Sequence, residues 1–361
     1  MSMENNILFK QWLTDLQLTH PLVIAGPCSA ETETQVLSTA HLIKNTDTTF
    51  FRAGIWKPRT RPGQFEGVGA VGLKWLQKAK EETGLKLATE IANASHVEQA
   101  LKHDIDLLWI GARSTVSPFI VQEIAEALRG TDKIVLVKNP VNPDLPLWLG
   151  AVERLHSVGI EKLGVIHRGF SSYHEKVYRN KPKWPLAIEL RKQFPDLPLI
   201  LDPSHICGNR ELLFDVCQTG LDLNYDGFMI ETHIDPDKAW SDAAQQITPQ
   251  RLNEITQELK VKKPLLDEPD YIHQLTIFRK ELDQLDQNLI ELLSSRMSIA
   301  EQIGKLKQEK NVMILQSNRW NELMEKMMLA GTKRGLSEEF IDKLFKAIHL
   351  ESIQHQQKIN K

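Results

Sequence analysis

Several features that define large protein classes are scarce in this sequence of 361 residues. Only three cysteines occur, at Cys28, Cys207 and Cys217. Their number is odd and they lack the spacing of a disulfide framework, which favours a reducing compartment over a disulfide-stabilised fold. No apolar run approaches the length of a membrane span, and the residues from Met1 to His20 are too polar and acidic for a signal peptide. The formal net charge of −3 offers no positive excess for binding a nucleic acid or an anionic membrane. We therefore expect a cytoplasmic protein that binds neither nucleic acid nor membrane.

Proline and glycine are nearly absent from the C-terminal part of the chain. No proline follows Pro269, and beyond it glycine occurs only at positions 304, 331 and 335. The stretch Lys260–Pro269 is charged and holds two prolines, which is typical of a linker. We predict a first domain over residues 1–259, a linker over 260–270 and an all-α domain over 271–361.

The first domain shows a repeated alternation of apolar runs and helical patterns. The apolar runs are Leu22–Ala25, Thr49–Ala53, Lys86–Thr89, Leu107–Ile110, Lys133–Val137, Lys162–Ile166, Leu199–Leu201 and Gly227–Ile230. The helical patterns between them include Val71–Glu82, Ser95–Lys102, Pro118–Leu128 and Arg210–Gln218. Runs that are apolar throughout fit parallel strands covered on both faces, and this number predicts an α/β fold, a (β/α)8 TIM barrel. An open doubly wound sheet is the alternative, but no Gly-x-Gly-x-x-Gly motif follows the first run.

Four potential metal ligands occur in the first domain, three of them just after predicted strands. They are Cys28 in Gly-Pro-Cys-Ser, His205 in Asp-Pro-Ser-His, Glu231 in Ile-Glu-Thr-His, and Asp242. Active sites of TIM barrels lie at the C-terminal ends of the strands, which would bring these residues together. A donor set of sulfur, nitrogen and oxygen accepts several borderline divalent metals, so we predict one ion of the Mn²⁺, Fe²⁺, Co²⁺ or Zn²⁺ class.

Cations also cluster after the predicted strands. Six of them are Arg52, Lys57, Arg59, Arg113, Lys138 and Arg168. Any one of these residues could be a solvated surface charge, but the recurrence at strand after strand indicates a shared site. So much positive charge predicts substrates that carry phosphates and carboxylates.

These motifs resemble the 3-deoxy-D-arabino-heptulosonate 7-phosphate (DAHP) synthases of the type Iβ subgroup. The resemblance extends over residues 20–255 and includes Lys57-Pro58-Arg59-Thr60 and Ile110-Gly111-Ala112-Arg113 as well as the four ligand motifs. The related 3-deoxy-D-manno-octulosonate 8-phosphate synthases share the barrel and the metal site. They carry a different loop in place of Lys57–Thr60, so this loop favours the DAHP enzyme.

The resemblance implies that phosphoenolpyruvate condenses with erythrose 4-phosphate and that inorganic phosphate is released. Phosphoenolpyruvate would be held by Arg113, Lys138 and Arg168 with Arg52 and Lys57, of which Lys57 and Lys138 are also candidate catalytic residues. Arg59 and Thr60 would bind the aldose phosphate. Asp202 and Glu90 could orient water or the metal ligands, or be structural carboxylates. His167 and His233 would lie near the site, and Cys207 is interpreted as a packed thiol.

The predicted C-terminal domain consists of three helices, over about Tyr271–Lys310, Ser317–Ala330 and Ser337–Lys358. The first carries a row of apolar residues, here called the apolar stripe: Leu275, Phe278, Leu282, Leu285, Leu289, Leu292, Ile299 and Ile303. Such a unit has no large core of its own, so the apolar stripe predicts a homodimer, or a larger assembly, formed through these helices.

Cations interrupt this apolar pattern. Arg296 and Lys307 fall on the stripe's heptad positions, and Arg279 lies beside it. Because buried unpaired cations are costly, these predict a pocket for an anion rather than snorkelling side chains. The spacing of Arg279, Arg296, Lys307 and Arg319, with Ser352 and Gln356 in the last helix, resembles the all-helical chorismate mutases.

This second resemblance implies the rearrangement of chorismate to prephenate, which needs no nucleophile and no proton transfer. Arg296 and the partner chain's counterpart of Arg279 would bind carboxylates, with Arg319 and Ser352 in support, and Lys307 and Gln356 would donate to the ether oxygen. Trp320 and Gln316 replace acids that are common in the family, which puts recognition of the substrate hydroxyl in question, although Gln316 could supply part of it. A non-catalytic domain that senses chorismate or prephenate is therefore an alternative, as is a dimerisation coil.

Both reactions belong to the shikimate pathway of aromatic amino acid biosynthesis. The first is its entry step and the second is the branch toward phenylalanine and tyrosine. We expect feedback control, with prephenate as the effector and the helical domain as the part that binds it.

Overall fold

Eight parallel strands close into a barrel in the first part of the chain. The computed structural model describes residues 9–57, 63, 65–173, 175–263 and 266–359, apart from the side chains of Ser317 and Ile359. The chain divides at residue 264 into two units. The strands of the first unit are β1 (Leu22–Gly26), β2 (Phe50–Arg52), β3 (Lys86–Ile91), β4 (Leu107–Ile110), β5 (Ile134–Lys138), β6 (Leu163–His167), β7 (Leu199–Leu201) and β8 (Gly227–Glu231).

Each strand pairs with the next in sequence, and β8 closes on β1 through five paired residues from Leu22–Gly227 to Gly26–Glu231. The predicted (β/α)8 barrel is therefore confirmed, and the open sheet is excluded. Several strands extend one residue beyond the prediction, so that Lys138, His167 and Glu231 are the last residues of their strands.

The strands are apolar throughout because the barrel has two buried layers. Side chains such as Ile24, Trp109 and Met229 fill the interior, with Trp12 among them. The alternate side chains, such as Val23 and Ala25, pack between the strands and the helices.

Helices surround the strands and carry polar caps at several N-termini. Thr32, Asn93, Ser117, Asp144 and Thr248 each accept a hydrogen bond from a backbone amide of the first helical turn. The helices of this unit are α1 (Gln11–Thr14), α2 (Glu33–Ile43), α3 (Val71–Thr83), α4 (Ala94–Lys102), α5 (Ala112–Thr115), α6 (Pro118–Leu128), α7 (Leu145–Ser157), α8 (Trp184–Gln193), α9 (Pro203–Cys207), α10 (Leu213–Asp222) and α11 (Pro249–Glu258).

The predicted helix Arg210–Gln218 was wrong at its start, since α10 begins at Leu213. The side chain of Asn209 accepts hydrogen bonds from the amides of Glu211 and Leu212, which holds this segment in a turn. The Arg210 guanidinium donates to the Gln246 carbonyl at 2.7 Å, so it belongs to the loop above the barrel.

The second unit contains three helices, α12 (Pro269–Glu309), α13 (Ser317–Thr332) and α14 (Glu338–Ile359). With 41 residues, α12 is about 60 Å long. It packs on α14, which also packs on α13. Buried residues of α12 occur only in its second half, at Met297, Ala300 and Gly304. Among the described residues no helix is both long and apolar enough to cross a membrane.

Candidate active sites

Three of the predicted metal ligands lie together at the C-terminal end of the barrel. Cys28 follows β1, Glu231 ends the neighbouring strand β8, and Asp242 lies on the loop after β8. Their donor atoms all lie within 4.8 Å of one another, and Cys28 Sγ is 3.4 Å from Asp242 Oδ2. Cys28 and Glu231 are fully buried.

The fourth predicted ligand, His205, lies beside this group on the short helix α9. Asp202 caps that helix and accepts from the His205 amide at 3.1 Å, while its other carboxylate oxygen is 2.8 Å from His205 Nδ1. This pairing leaves His205 Nε2 facing Glu231 Oε1, at 3.8 Å. A histidine held through one ring nitrogen presents the other to a metal in many metalloenzymes.

The donor set fits a divalent cation. Burial, and then the charge of Glu231, raise the pKa of the Cys28 thiol to about 12, so the group without a metal holds a protonated thiol beside two carboxylates. A cation at this position would favour the thiolate and offset the repulsion between the carboxylates. Lys57 Nζ lies 3.0 Å from Cys28 Sγ. Burial acts to lower the pKa of Lys57, but Cys28 and Glu231 raise it above its ordinary value.

Buried cations line the same end of the barrel. The Arg52 side chain is 1% exposed, and its Nη2 is 3.3 Å from Glu231 Oε1. Its Nε and Nη1 atoms are buried without a partner among the described residues. Unpaired guanidinium nitrogens in a buried site are costly unless an anionic ligand binds them. Lys138 Nζ donates to Asp202 at 2.8 Å, and Trp109 lies beneath both cations, 4.9 Å from Arg52 and 5.7 Å from Lys138.

Arg168 follows β6 and Arg113 follows β4, the two strands that flank β5. Arg168 donates to Asn180 Oδ1 at 2.8 Å, and burial lowers its pKa to about 10. Arg113 is exposed at the start of α5, directly after β4. The predicted phosphate-binding residues Arg59 and Thr60 lie outside the described residues.

Of three other residues singled out in the sequence, two have hydrogen-bond partners and the third is packed in the core. Glu90 accepts from the Trp109 indole at 3.1 Å. His167 faces the helices, where its ring nitrogens contact Tyr225 Oη at 2.7 Å and the Pro182 carbonyl at 2.6 Å. Cys207 is a buried free thiol in the packed layer, as interpreted from the sequence.

Several residues of the site carry no signal in the sequence. Gln245 donates to Glu231 Oε2 at 2.7 Å, and Gln246 accepts from the Cys28 amide at 2.9 Å. Ser204 accepts from the Glu231 amide at 2.9 Å. His233, by contrast, was expected near the site from the sequence, and its Nε2 contacts Glu31 at 3.3 Å. Such amide and hydroxyl side chains are common in loops, so only the folded chain shows that Gln245, Gln246 and Ser204 contact the predicted ligands.

The helical unit brings part of its predicted site together. Arg296 is half-buried on α12 and donates to the Ser352 hydroxyl of α14. Gln356, one turn further along α14, is buried, and its Oε1 has no partner among the described residues. Lys307 Nζ donates to the Ile314 carbonyl at 2.6 Å.

The other predicted residues of this site are exposed within the single chain. Arg279 lies on the first half of α12, and Arg319 contacts Glu322 at 3.5 Å. Gln316 precedes α13 without a side-chain cap to that helix. Trp320 stacks on His349, with the ring centroids 4.0 Å apart.

Known proteins resemble both parts of the chain. A phospho-2-dehydro-3-deoxyheptonate aldolase of Thermotoga maritima is 29% identical over 238 residues, which cover 66% of this chain and 68% of that protein. A 2-dehydro-3-deoxyphosphooctonate aldolase of Nitratidesulfovibrio vulgaris is 27% identical over 265 residues, covering 66% of this chain and 90% of that protein.

The crystal structure of the Thermotoga maritima phospho-2-dehydro-3-deoxyheptonate aldolase (DAHP synthase) superimposes with a TM-score of 0.61 at 28% identity, covering 66% of this chain and 68% of that one. The profile of the DAHP synthetase I family matches residues 17–268, and that of chorismate mutase type II matches residues 278–357. The chain therefore belongs to the DAHP synthetase I family and carries a chorismate mutase type II domain, which gives it two enzyme activities of the shikimate pathway.

Proposed function

We propose that the barrel is a metal-dependent DAHP synthase whose ligands are Cys28, His205, Glu231 and Asp242. The observation that carries this proposal is the convergence of a buried thiol and two carboxylates within 4.8 Å, beside an Arg52 guanidinium with two nitrogens that have no partner among the described residues. A bound divalent ion of the Mn²⁺, Fe²⁺, Co²⁺ or Zn²⁺ class would supply Lewis-acid polarisation of the aldehyde oxygen.

The protein's own residues bind and orient the two substrates in this proposal. The unpaired nitrogens of Arg52, with Arg113, Lys138 and Arg168, would bind the phosphate and carboxylate of phosphoenolpyruvate. Asp202 holds Lys138 and the His205 ring in position through Oδ2, while its Oδ1 accepts from the His205 backbone amide. Lys57, kept protonated beside Cys28, would stabilise negative charge that develops during condensation.

The loop residues Arg59 and Thr60 would bind the phosphate of the aldose and so select erythrose 4-phosphate. An assay of the purified chain with erythrose 4-phosphate against arabinose 5-phosphate tests this selection. We expect condensation with the four-carbon sugar, and preference for arabinose 5-phosphate would make the barrel an octulosonate synthase instead.

The ligand assignment is tested by His205→Ala. We expect this variant to lose bound metal and DAHP formation, because the ring nitrogen that faces Glu231 is removed. Its mutase activity serves as the control for folding and should match the parent, since the two reactions use separate units. DAHP formation by His205→Ala after chelation of metal would refute the assignment.

We further propose a chorismate site built on Arg296, Ser352, Lys307 and Gln356. Arg296 and Ser352 would bind a carboxylate, with Arg319 in support, and Lys307 and Gln356 would donate to the ether oxygen. Because Arg279 is exposed on the first half of α12, it would reach this site from a second copy of the chain. Gln316 would contribute to recognition of the hydroxyl.

Arg296→Ala should abolish prephenate formation without loss of helix content, and rearrangement at the parent rate would contradict the site.

Feedback control would pass through the mutase domain, with prephenate as the effector. A ligand can shift the synthase only if it binds two states of the protein with different affinity. We expect prephenate to inhibit DAHP formation by the full-length chain and to lose this effect in Arg296→Ala. Equal inhibition of both proteins would show that prephenate acts elsewhere, and no inhibition of either would leave the fusion as co-localisation.

The proposed enzyme is cytoplasmic and forms a homodimer through α12. The compartment fits three buried cysteines that remain free thiols. The dimer fits the exposed apolar residues on the first half of α12, which have no cover within the described chain.

A further inference from the structure

A chain of hydrogen bonds joins two of the proposed metal ligands through one buried glutamine. Gln245 is 1% exposed, and its Nε2 donates to Glu231 Oε2 at 2.7 Å. Its Oε1 accepts from Arg179 Nη1 at 2.6 Å. The same Arg179 nitrogen donates to Asp242 Oδ1 at 3.0 Å. The order of contacts is therefore Glu231, Gln245, Arg179 and Asp242.

These contacts occupy one oxygen of each carboxylate and leave the other turned toward the donor group. Glu231 Oε1, which Gln245 does not contact, lies 3.3 Å from Arg52 Nη2 and faces His205 Nε2 at 3.8 Å. Asp242 Oδ2, which Arg179 does not contact, is the oxygen 3.4 Å from Cys28 Sγ. A carboxylate fixed through one oxygen has little freedom to rotate, so the other oxygen keeps its direction.

The amide of Gln245 suits this role because it has a donor at one end and an acceptor at the other. Its Nε2 must face the carboxylate and its Oε1 must face the guanidinium, so a single orientation satisfies both partners. A glutamate here would repel Glu231, and an apolar side chain would remove one hydrogen bond from Glu231 and one from Arg179.

The backbone links Gln245 to Asp242 as well. Asp242 adopts the left-handed conformation, with φ of +49°, and a 3₁₀ turn over Ala243–Gln245 follows it. The backbone N–H of Gln245 donates to the backbone carbonyl of Asp242 at 3.2 Å, which closes this turn. One short segment thus supplies both a ligand and the residue that contacts the ligand on the neighbouring strand.

We propose that Gln245 is a positioning residue that sets the geometry of the metal site, with Arg179 as the link to Asp242. This inference rests on the proposed ligand set. It predicts that Gln245 controls the affinity and coordination of the metal, in addition to any effect on turnover.

The test uses Co²⁺ as the probe, added to the metal-free full-length chain in competition with a chelating dye. Gln245→Leu should bind Co²⁺ about ten- to a hundredfold more weakly than the parent, which is the usual range for loss of a group that orients metal ligands. The absorption bands of the bound Co²⁺ should also shift, because the angles between the ligands change. A purely structural glutamine would leave these spectra unaltered.

Gln122→Leu is the matched control. Gln122 of α6 also bridges an arginine and a glutamate, since it accepts from Arg154 at 3.0 Å and donates to Glu126 at 3.0 Å. It lies outside the proposed site, so this variant should bind Co²⁺ as the parent does. A loss of affinity in Gln122→Leu equal to that in Gln245→Leu would overturn the inference.

Arg179→Met gives a second test that avoids a buried defect, because the Arg179 side chain is 43% exposed. It should also weaken Co²⁺ binding. If the two residues act as a unit, the double variant should lose less Co²⁺ binding free energy than the sum of the losses in the two single variants. Parent affinity and spectrum in Gln245→Leu, or in Arg179→Met should the first variant not fold, would refute the positioning role. Failure of the parent chain itself to bind Co²⁺ through Cys28 would instead refute the ligand set.

Discussion

At the scale of single residues, Lys57 and Arg59 stand two positions apart but should affect different kinetic constants. Lys57 Nζ lies 3.0 Å from Sγ of the proposed ligand Cys28, so Lys57→Ala should lower kcat even at saturating substrate. Arg59→Ala should raise KM for erythrose 4-phosphate about ten- to a hundredfold, since one charge-assisted hydrogen bond contributes about 1.5–3 kcal/mol. Steady-state kinetics with each substrate varied separates the two. An unchanged KM in Arg59→Ala would mean that the loop does not bind the aldose phosphate.

The buried His167 should make the folded barrel less stable in mild acid. Burial lowers the pKa of His167 from 6.5 to about 4, so the unfolded chain takes up the proton at a higher pH than the folded chain. The stability that neutral His167 contributes above pH 6.5 is therefore lost as the pH falls toward 4. Between pH 7 and pH 5 we expect a loss of about 2 kcal/mol that His167→Phe does not show.

Urea denaturation of the barrel at both pH values measures this difference. His167→Phe should be less stable than the parent at pH 7, because Tyr225 and Pro182 lose a partner. The difference in the free energy of unfolding between the parent and His167→Phe should be smaller at pH 5 than at pH 7. The same pH dependence in both would show that another group titrates.

The sequence identifies residues by chemical type more readily than by contact. Cys28, Glu231 and Asp242 could be grouped beforehand because each is a metal ligand type and two of them follow strands. Gln245 could not, because a glutamine three residues after Asp242 has no distinctive spacing. His167 was placed near the site as a polar residue at a strand end, but alternation along β6 turns its ring toward the helices.

At the scale of elements, all eight strands could be located because each is apolar on both faces of the barrel wall. Helix starts were harder to predict where side chains capture backbone groups, as Asn209 does before α10. The short helix α9 was not predicted, although its residues Asp202 and His205 were both singled out. Its first turn is fixed by the Asp202 cap, which only the folded geometry reveals.

The contact between α12 and α14 depends on Gly304. A Cβ atom at this position would lie 3.2 Å from Gln356 Cα, so a larger side chain would push the helices apart. Gly304→Leu should destabilise the helical unit by about 1–3 kcal/mol and lower mutase activity, because Gln356 is displaced.

Thermal unfolding followed together with mutase activity measures this effect. Lys305→Leu is the control, since it adds the same side chain at an exposed neighbouring position. Parent stability in Gly304→Leu would contradict the close packing of the two helices.

At the scale of the whole molecule, we expect a second copy of the chain to cover the first half of α12. Leu282 is 59% exposed and Leu289 is 49% exposed, and both belong to the apolar stripe. The double variant Leu282→Glu, Leu289→Glu should dissociate the proposed dimer and abolish mutase activity, because each site would lose the Arg279 that we propose the second copy supplies. DAHP formation should continue.

Analytical ultracentrifugation of both proteins measures the assembly. The control replaces Gln284 and Gln287 by glutamate, which adds the same charge on exposed polar positions of α12. An unchanged mass and full mutase activity in the leucine variant would show that the apolar stripe serves another purpose.

The most direct test of two independent sites on one chain is a measurement of both reactions before and after removal of metal. We predict that chelation abolishes DAHP formation, that Mn²⁺ or Co²⁺ restores it, and that conversion of chorismate to prephenate proceeds at the same rate throughout. DAHP formation that survives complete chelation would contradict the proposed metal site of Cys28, His205, Glu231 and Asp242.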